Sequence, residues 1–256
     1  MDASFVLHRR VAGTQILDLP VPFAEERYFA GDLDEKGFDR LHHLEAEIYR
    51  SADHLSFHWH TYSEFVQEHK YTGTNWLALS YGTTVKSVRA THAHEPRIVF
   101  LGLLRGEWVN LPLLERLCAL YPAIDVYGGP EPTGGLRRNY RGYAPSLDVL
   151  ADYQFGLTTI SDDPLRRQSF SSKHLEYISY GLPVLTPAWR QDELLEPSSI
   201  YFTEETFVDQ IVATNRPDTW KSMSDSSLDL AATLTWESAL RPLGAIVGEV
   251  ESCIPR

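Results

Sequence analysis

The stretch Ser171-Ser172-Lys173-His174-Leu175-Glu176-Tyr177-Ile178-Ser179-Tyr180-Gly181-Leu182-Pro183-Val184 reads as a helix followed at once by a strand. The helical pattern covers 173–180, and Gly181 is the residue type favoured just past a helix end. The apolar run 183–186 then suits a buried strand. A helix start carries unpaired N–H groups and a partial positive charge. Lys173 adds a full charge on the first turn, so this end suits a diphosphate. Glu176 lies one turn further on, where a carboxylate can accept hydrogen bonds from ribose hydroxyls. The same residues also fit a plain surface helix, with the two serines as caps and Glu176 as the acid of a capping box. Local chemistry leaves both readings open.

Outward from this segment, apolar runs alternate with helical patterns. Strands are expected over 98–102, 124–129, 139–143 (the weakest), 155–160, 183–186 and 199–202. A helix face of Leu111, Leu114, Leu117, Cys118 and Tyr121 lies among them, and Ser146 is placed to cap a short helix. Six strands with intervening helices make one doubly wound α/β domain with a parallel sheet. Upstream, strands are expected over 14–19 and 54–58, with a further apolar run over 75–80. Leu41, Leu44, Ile48 and Ala52 share one helix face, and a second helix is expected over 61–70. Residues 83–95 read as a polar linker, and 236–250 as an amphipathic helix. In such sheets ligands bind beyond the carboxyl ends of the strands, near a topological switch point. The residues after Leu101, Tyr127, Tyr143 and Ile160 therefore matter most.

Composition bounds the function. With 256 residues the chain holds one large domain or two modest ones, and 43% hydrophobic residues exclude wholesale disorder. The 35 acidic and 23 basic side chains give a net charge of -12, which argues against nucleic acid as a partner. The densest basic cluster is only Arg137, Arg138 and Arg141. No apolar run has the length of a membrane span, and no signal-peptide core is visible. Cys118 and Cys253 are the only two cysteines. Cys118 reads as a small buried hydrophobe, and a cytoplasmic chain, peripheral at the membrane at most, is expected.

The central segment resembles the donor-site helix of GT-B glycosyltransferases, in particular family-4-like enzymes with a P-x-K-x-x-E-Y-x-x-x-G-x-P-V pattern. Lys173, Glu176, Tyr177, Gly181, Pro183 and Val184 fall in that register. The stretch Ile98-Val99-Phe100-Leu101-Gly102, then Trp108, Leu113-Leu114, Pro122 and Val126-Tyr127-Gly128, is similar to the opening of that family's C-terminal domain. Ala52-Asp53-His54-Leu55 and Tyr81-Gly82-Thr83 resemble the end of its N-terminal domain and its hinge. Trp236 resembles the start of its return helix. These matches come in order across residues 40–250.

The pattern also departs from the family. Where the family often has a first glutamate, eight positions before Glu176, this chain has Gln168. Ser171 stands in place of the proline, and of the basic pair after the first strand only Arg105 is near. Only 1–94 precede the donor domain, where the family has a fuller N-terminal domain. This suggests a reduced acceptor domain, a half-enzyme or a fragment.

The resemblance implies a partial Rossmann-like segment over 1–94, a nucleotide-sugar-binding Rossmann-like domain with a six-stranded parallel sheet over 95–232, and a return helix over 233–256. It implies a UDP- or GDP-sugar as donor substrate, no cofactor and no metal, in glycan or polysaccharide biosynthesis. Lys173, Glu176 and Arg105 would be the catalytic residues. Gly102, Leu103, Leu104, Gly128, Gly129, Tyr143, Ala144, Gln168, Ser171, Ser172 and His174 would line the donor site. The loop 141–144 would meet the base through its backbone. The acceptor could be a glycan, a lipid or a small molecule, with its base drawn from His8 or the histidines of 54–60.

A shortened front would leave an apolar edge or face, so a homodimer or a partner chain is expected through the N-terminal segment. The alternative function is a non-catalytic nucleotide-sugar-binding or regulatory subunit. A third reading, a metal-dependent hydrolase, would use His58 and His60 or His92 and His94 as paired ligands. Neither pair has a spaced carboxylate or cysteine to complete a site. Asp32-Leu33-Asp34 reads as a solvated acidic loop, and Asp162-Asp163-Pro164 as a turn.

Overall fold

The computed structural model describes residues 14–19, 22–58, 76–104, 108–168 and 171–252. The backbone divides into two compact units. The first gathers the chain up to Tyr81, residues 163–170 and the segment from Trp236; the second gathers Gly82–Asp162 and Ser171–Thr235.

In the first unit, β1 (Ile16–Leu19), β2 (His54–Phe57) and β3 (Trp76–Ala78) form a parallel sheet in the order β1-β2-β3. Two helices, α1 (Phe23–Phe29) and α2 (Glu35–Ser51), connect β1 to β2. Asp34 accepts a hydrogen bond from Gly37 N (2.8 Å), the side-chain cap that starts α2. Buried Glu45 on α2 accepts the first N–H groups of α1, from Phe23 (2.7 Å) and Ala24 (3.0 Å). A carboxylate there offsets the partial positive charge of a helix start. Leu55 and Phe57 are fully buried on β2. The helix expected over 61–70 lies outside the described residues.

In the second unit the chain runs through β4 (Ile98–Leu103), α3 (Leu111–Leu120), β5 (Ile124–Gly129) and β6 (Phe155–Leu157). It then passes through α4 (Pro164–Gln168), which clusters with the first unit rather than inside the expected donor domain. Buried Arg166 of α4 takes partners there, 4.0 Å from Glu26 on α1 and 3.9 Å from Asp163. The chain re-enters the second unit with α5 (Ser172–Ser179), β7 (Val184–Pro187), β8 (Ser199–Phe202), α6 (Phe207–Thr214) and α7 (Pro217–Thr233). It ends in α8 (Trp236–Ser252), which belongs to the first unit. Among the described residues no helix is long and apolar enough to cross a membrane.

The second sheet is parallel throughout, in the order β5-β4-β6-β7-β8. It has five strands where six were expected. The stretch 139–142 does run beside β5. Val126 N donates to Asn139 O, Arg141 N to Val126 O and Gly128 N to Gly142 O, each at 2.9 Å. Only Tyr140 forms a bridge, however. The stretch leaves a 3-10 turn at Gly134–Arg138 and turns again at Gly142, where φ is +82°, so no extended run develops. Counting this edge stretch, the spatial order becomes 3-2-1-4-5-6, and the switch point falls between β4 and β6.

The expected linker 83–95 is part of the second unit. Lys86 N and Ala90 N donate to Ser179 O and Tyr180 O at the end of α5, each at 2.9 Å. That helix ends as its sequence predicts. Gly181 takes φ +77°, its N–H reaches Ile178 O, and Leu182 N reaches Tyr177 O (3.2 Å). This pair of bonds is a Schellman motif. Cys118 is buried, which pushes its thiol up to about 12.

Candidate functional site

The carboxyl ends of β4 and β5 are rich in glycine: β4 closes on Gly102-Leu103 and β5 on Gly128-Gly129. Their register sets Gly102 opposite Gly128 and Leu103 opposite Gly129. Gly128 has φ +132°, and a Cβ there would run into the Gly102 carbonyl. On Gly129, a Cβ would occupy the place of the Tyr143 ring. Gly128 tolerates only glycine, whereas the exposed Tyr143 ring could yield to a side chain on Gly129. Tyr140 donates its hydroxyl to Gly128 O (2.8 Å), while Tyr143 is 76% exposed beside the turn. Leu103 is exposed, Leu104 is buried, and Ala144 is half-buried. Two residues past β6, Thr159 buries its hydroxyl with no hydrogen-bond partner among the described residues.

The helix α5 precedes β7 and runs antiparallel to the strands, so it starts at this same carboxyl edge. Tyr177 fixes it there. Its fully buried hydroxyl accepts from Leu101 N (2.8 Å) and donates to Leu157 O (3.2 Å). It therefore pairs backbone groups just beyond Val99 and Gly156, the last bonded pair of β4 and β6. Burial pushes this phenol far above its ordinary value.

At the start of α5, the Ser171 side chain makes no capping bond. Lys173 Nζ reaches Glu176 Oε1 at 2.9 Å and Oε2 at 3.2 Å, and both side chains are part-exposed. The capping-box alternative does not form. With Ser171 as N-cap the third helical residue is His174, and Glu176 turns to Lys173 instead. His174, expected to line the donor site, is buried with Nε2 2.8 Å from Ser198 Oγ. Burial lowers its pKa to about 3. Lys173, Glu176, Ser171 and Ser172 thus share one helix start, and Gly102, Leu103, Leu104, Gly128, Gly129, Tyr143 and Ala144 gather at the β4 and β5 ends. Arg105 and the side chain of Gln168 lie outside the described residues.

The first unit carries a second polar cluster, also at the carboxyl edge of its sheet. His58 follows β2, and its Nε2 is 2.8 Å from Asp18 Oδ1 and 2.9 Å from Oδ2. Its Nδ1 is 2.9 Å from the hydroxyl of Tyr81. Ser56 donates to Asp18 as well. The sequence pointed to the histidines of 54–60 and missed Asp18 and Tyr81. The available signal was that all three residues stand at or after the ends of parallel strands. His8 and His60 lie outside the described residues.

The remaining candidates have structural partners. Asp32 pairs with Arg27 (2.8 Å), Asp34 caps α2, and Asp163 accepts from Arg166 N (2.9 Å). His92 Nε2 lies 2.8 Å from Asn215 O, with its ring against Trp220. Among the described residues, no group of three or more His, Cys, Asp or Glu is gathered to hold a metal ion.

No protein-family profile matches the chain, and no curated protein does. Solved structures match it closely in shape. Sucrose-phosphate synthase from Thermosynechococcus elongatus superposes with a TM-score of 0.70 at 12% identity, over 98% of this chain and 71% of that one. A variant of S. aureus TarM, in complex with fondaparinux, alpha-GlcNAc-glycerol and UDP, gives 0.68 at 13% identity, over 91% and 50%. A glycosyltransferase from Rickettsia africae gives 0.64 at 10% identity, over 93% and 71%. The chain therefore spans about half of TarM and about seven tenths of the other two. At such identities the likeness is one of fold, and that fold is the GT-B fold of glycosyltransferases.

Proposed function

We propose that the chain binds a nucleotide sugar, a UDP- or GDP-sugar, and transfers the sugar to a hydroxyl of a glycan, lipid or small molecule. One observation carries this reading: a helix start with no side-chain cap, bearing Lys173 and Glu176, stands at the sheet edge where β5 ends in Gly128-Gly129 and β4 in Gly102-Leu103. With His174 N already bonded to Ser171 O (3.0 Å), a diphosphate meets the other first-turn N–H groups of α5 and takes Lys173 as its cation. Release of a nucleoside diphosphate builds negative charge on the phosphate oxygens, and fixed N–H dipoles with a cation lower that barrier. Arg105 adds a second cation in this reading. Glu176 takes the ribose hydroxyls, and the loop 141–144 meets the base. The scheme places its positive charge on side chains and contains no metal step. The UDP held by TarM, a protein of the same fold, supports a nucleoside diphosphate as the ligand.

The test is a thermal-shift and calorimetry panel of UDP, GDP, UDP-glucose and GDP-mannose. At 100 times its dissociation constant, a ligand specific for the native state adds about 2.7 kcal/mol. That raises the midpoint by about 5–10 °C for a unit of this size. No shift with any of the four overturns the reading. Binding with no release of nucleoside diphosphate, even with acceptors supplied, supports the non-catalytic subunit instead.

A further inference from the structure

We propose that the exposed face of α8 pairs with the same face of a second copy of this chain, giving a weak two-fold dimer. The face belongs to the first unit and is independent of the donor reading. Trp236, Leu240 and Gly244 recur every four residues and so share one stripe of the helix. Trp236 is 52% exposed and Leu240 44%, while Ala239 and Ile246 on the other side of the helix are buried. A shallow groove of about 620 Å³ runs along the stripe, lined by Trp236, Glu237, Leu240, Arg241, Gly244 and Ala245. An exposed apolar surface rimmed by polar groups marks a protein contact.

Gly244 indicates what fits there. Glycine weakens a helix interior relative to alanine. Nothing in its own copy requires it. Its φ is not positive, and among the described residues a Cβ there would meet nothing within 4 Å beyond the helix backbone. The notch is open to a side chain from outside. Eight residues away, about 12 Å along the axis, the same stripe carries a large exposed side chain in Trp236. The stripe is therefore complementary to itself. When two copies of α8 lie antiparallel about a two-fold axis at Leu240, each Trp236 stands over Gly244 of the second copy. The two Leu240 side chains then meet at the centre, in a closed contact that uses one patch twice.

The charges select the same arrangement. Glu237 and Arg241 lie along one edge of the stripe, both exposed, and among the described residues neither has an ion-pair partner. The two-fold axis keeps that edge on the same side of both copies and reverses its direction. Glu237 then faces position 243 of the second copy, two residues or about 3 Å from its Arg241, a gap that a long side chain spans. Symmetry repeats the contact, so each dimer holds two such ion pairs. A parallel pairing in register would set Glu237 against Glu237 and Arg241 against Arg241, and like charges so placed disfavour it. A seam of two helices is small beside the roughly 1,200–2,000 Å² of stable interfaces, so the dimer depends on concentration.

The test is sedimentation velocity of the full chain from micromolar to hundreds of micromolar. The parent should pass from monomer to dimer over that range. Trp236→Ala removes the aromatic anchor and should weaken the dimer about 30-fold or more. Gly244→Leu fills the notch and should weaken it about tenfold or more. Its melting midpoint, read where the parent is monomeric, should hold or rise, because leucine is the better helix residue. Loss of the dimer in that variant is then not loss of the fold. Glu237→Arg and Arg241→Glu each set like charges together, and each alone should stay monomeric. Mixed in equal amounts they should form a heterodimer, because one copy then carries only positive charge on that edge and the other only negative. A parent that stays monomeric leaves the face to a different partner and overturns the proposal. A dimer that Trp236→Ala and Gly244→Leu leave intact uses another face and overturns it too. Single reversals that dimerise like the parent, or a mixture that recovers no dimer, overturn the antiparallel pairing and the proposal with it. The mixture keeps the test decisive if Gly244→Leu does not fold.

Discussion

The ring of Tyr177 fills the space where a side chain on Gly156 would stand. The glycine on β6 and the tyrosine on α5 are two halves of one joint. The missing Cβ leaves room for the ring against the strand, and the ring brings its hydroxyl to the gap between Leu101 N and Leu157 O. Where β4 and β6 part, two backbone groups would otherwise be buried without partners. A buried polar group left unpaired costs about 1–3 kcal/mol. The joint thus both closes the sheet and sets where α5 begins, and the start of α5 carries Lys173 and Glu176.

Two substitutions test the joint. Tyr177→Phe keeps the ring and removes the bridge, and should cost about 1–3 kcal/mol for each group it orphans. Gly156→Ala should cost about 1–3 kcal/mol through overpacking against the ring. Urea denaturation reads both as lower midpoints with the slope unchanged. Unchanged midpoints would show that the contact contributes nothing.

Lys173→Ala separates a phosphate partner from a surface ion pair. Exposed i,i+3 pairs contribute little to stability, so the melting midpoint should hardly move. Affinity for UDP should fall about tenfold or more, since a charge-assisted bond to phosphate is lost, while affinity for uridine should stay the same. Equal losses for both ligands would remove Lys173 from the phosphate site.

Local signals in the chain were legible, and partnerships across the fold were not. Gly181 announced the end of α5, and alternating apolar runs announced a doubly wound sheet, because both depend on neighbours in sequence. The stretch 139–143 looked like a strand and does pair with β5, but Gly142 ends it after one bridge. Ser171 looked like a cap and makes no capping bond, since a cap depends on side-chain rotamer as well as residue type. The resemblance implied a donor-site role for His174, yet the helix turns it inward to Ser198. Asp18 and Tyr81 were invisible. They stand 40 and 23 positions from His58, and only the pairing of three parallel strands brings them together.

His174 predicts an acid limb in stability. Its pKa is near 3 in the folded chain against an ordinary 6.5, because burial disfavours the imidazolium. The unfolded chain therefore binds a proton that the native chain refuses. Stability is fully present above about pH 6.5 and is lost as pH falls from there toward 3. By pH 5 the loss is on the order of 2 kcal/mol at 1.36 kcal/mol per unit. Melting curves from pH 7.5 to 5 should show a shallower decline in His174→Gln than in the parent. Parallel declines would mean that other groups set the limb.

Glu176 carries the sharpest prediction, because its partner changes on binding. Lys173 holds both carboxylate oxygens. A diphosphate arriving at the helix start competes for Lys173 and leaves the carboxylate free. Three residues along a helix advance about 4.5 Å, so a ribose attached to that diphosphate lies within its reach. Two ribose hydroxyls donating to one carboxylate are charge-assisted bonds, each on the order of 1.5–3 kcal/mol. Glu176→Gln preserves the shape, weakens those bonds and releases Lys173. Affinity for UDP should then fall about tenfold or more, while affinity for 2′-deoxy-UDP, which has only the 3′-hydroxyl to lose, should fall much less, the release of Lys173 offsetting part of that single bond. If Glu176 serves only to pair with Lys173, both nucleotides should bind the variant more tightly and by the same factor. Calorimetry of both ligands on both proteins gives opposite signs for UDP in the two cases, so a gain in UDP affinity would move the ribose to another residue.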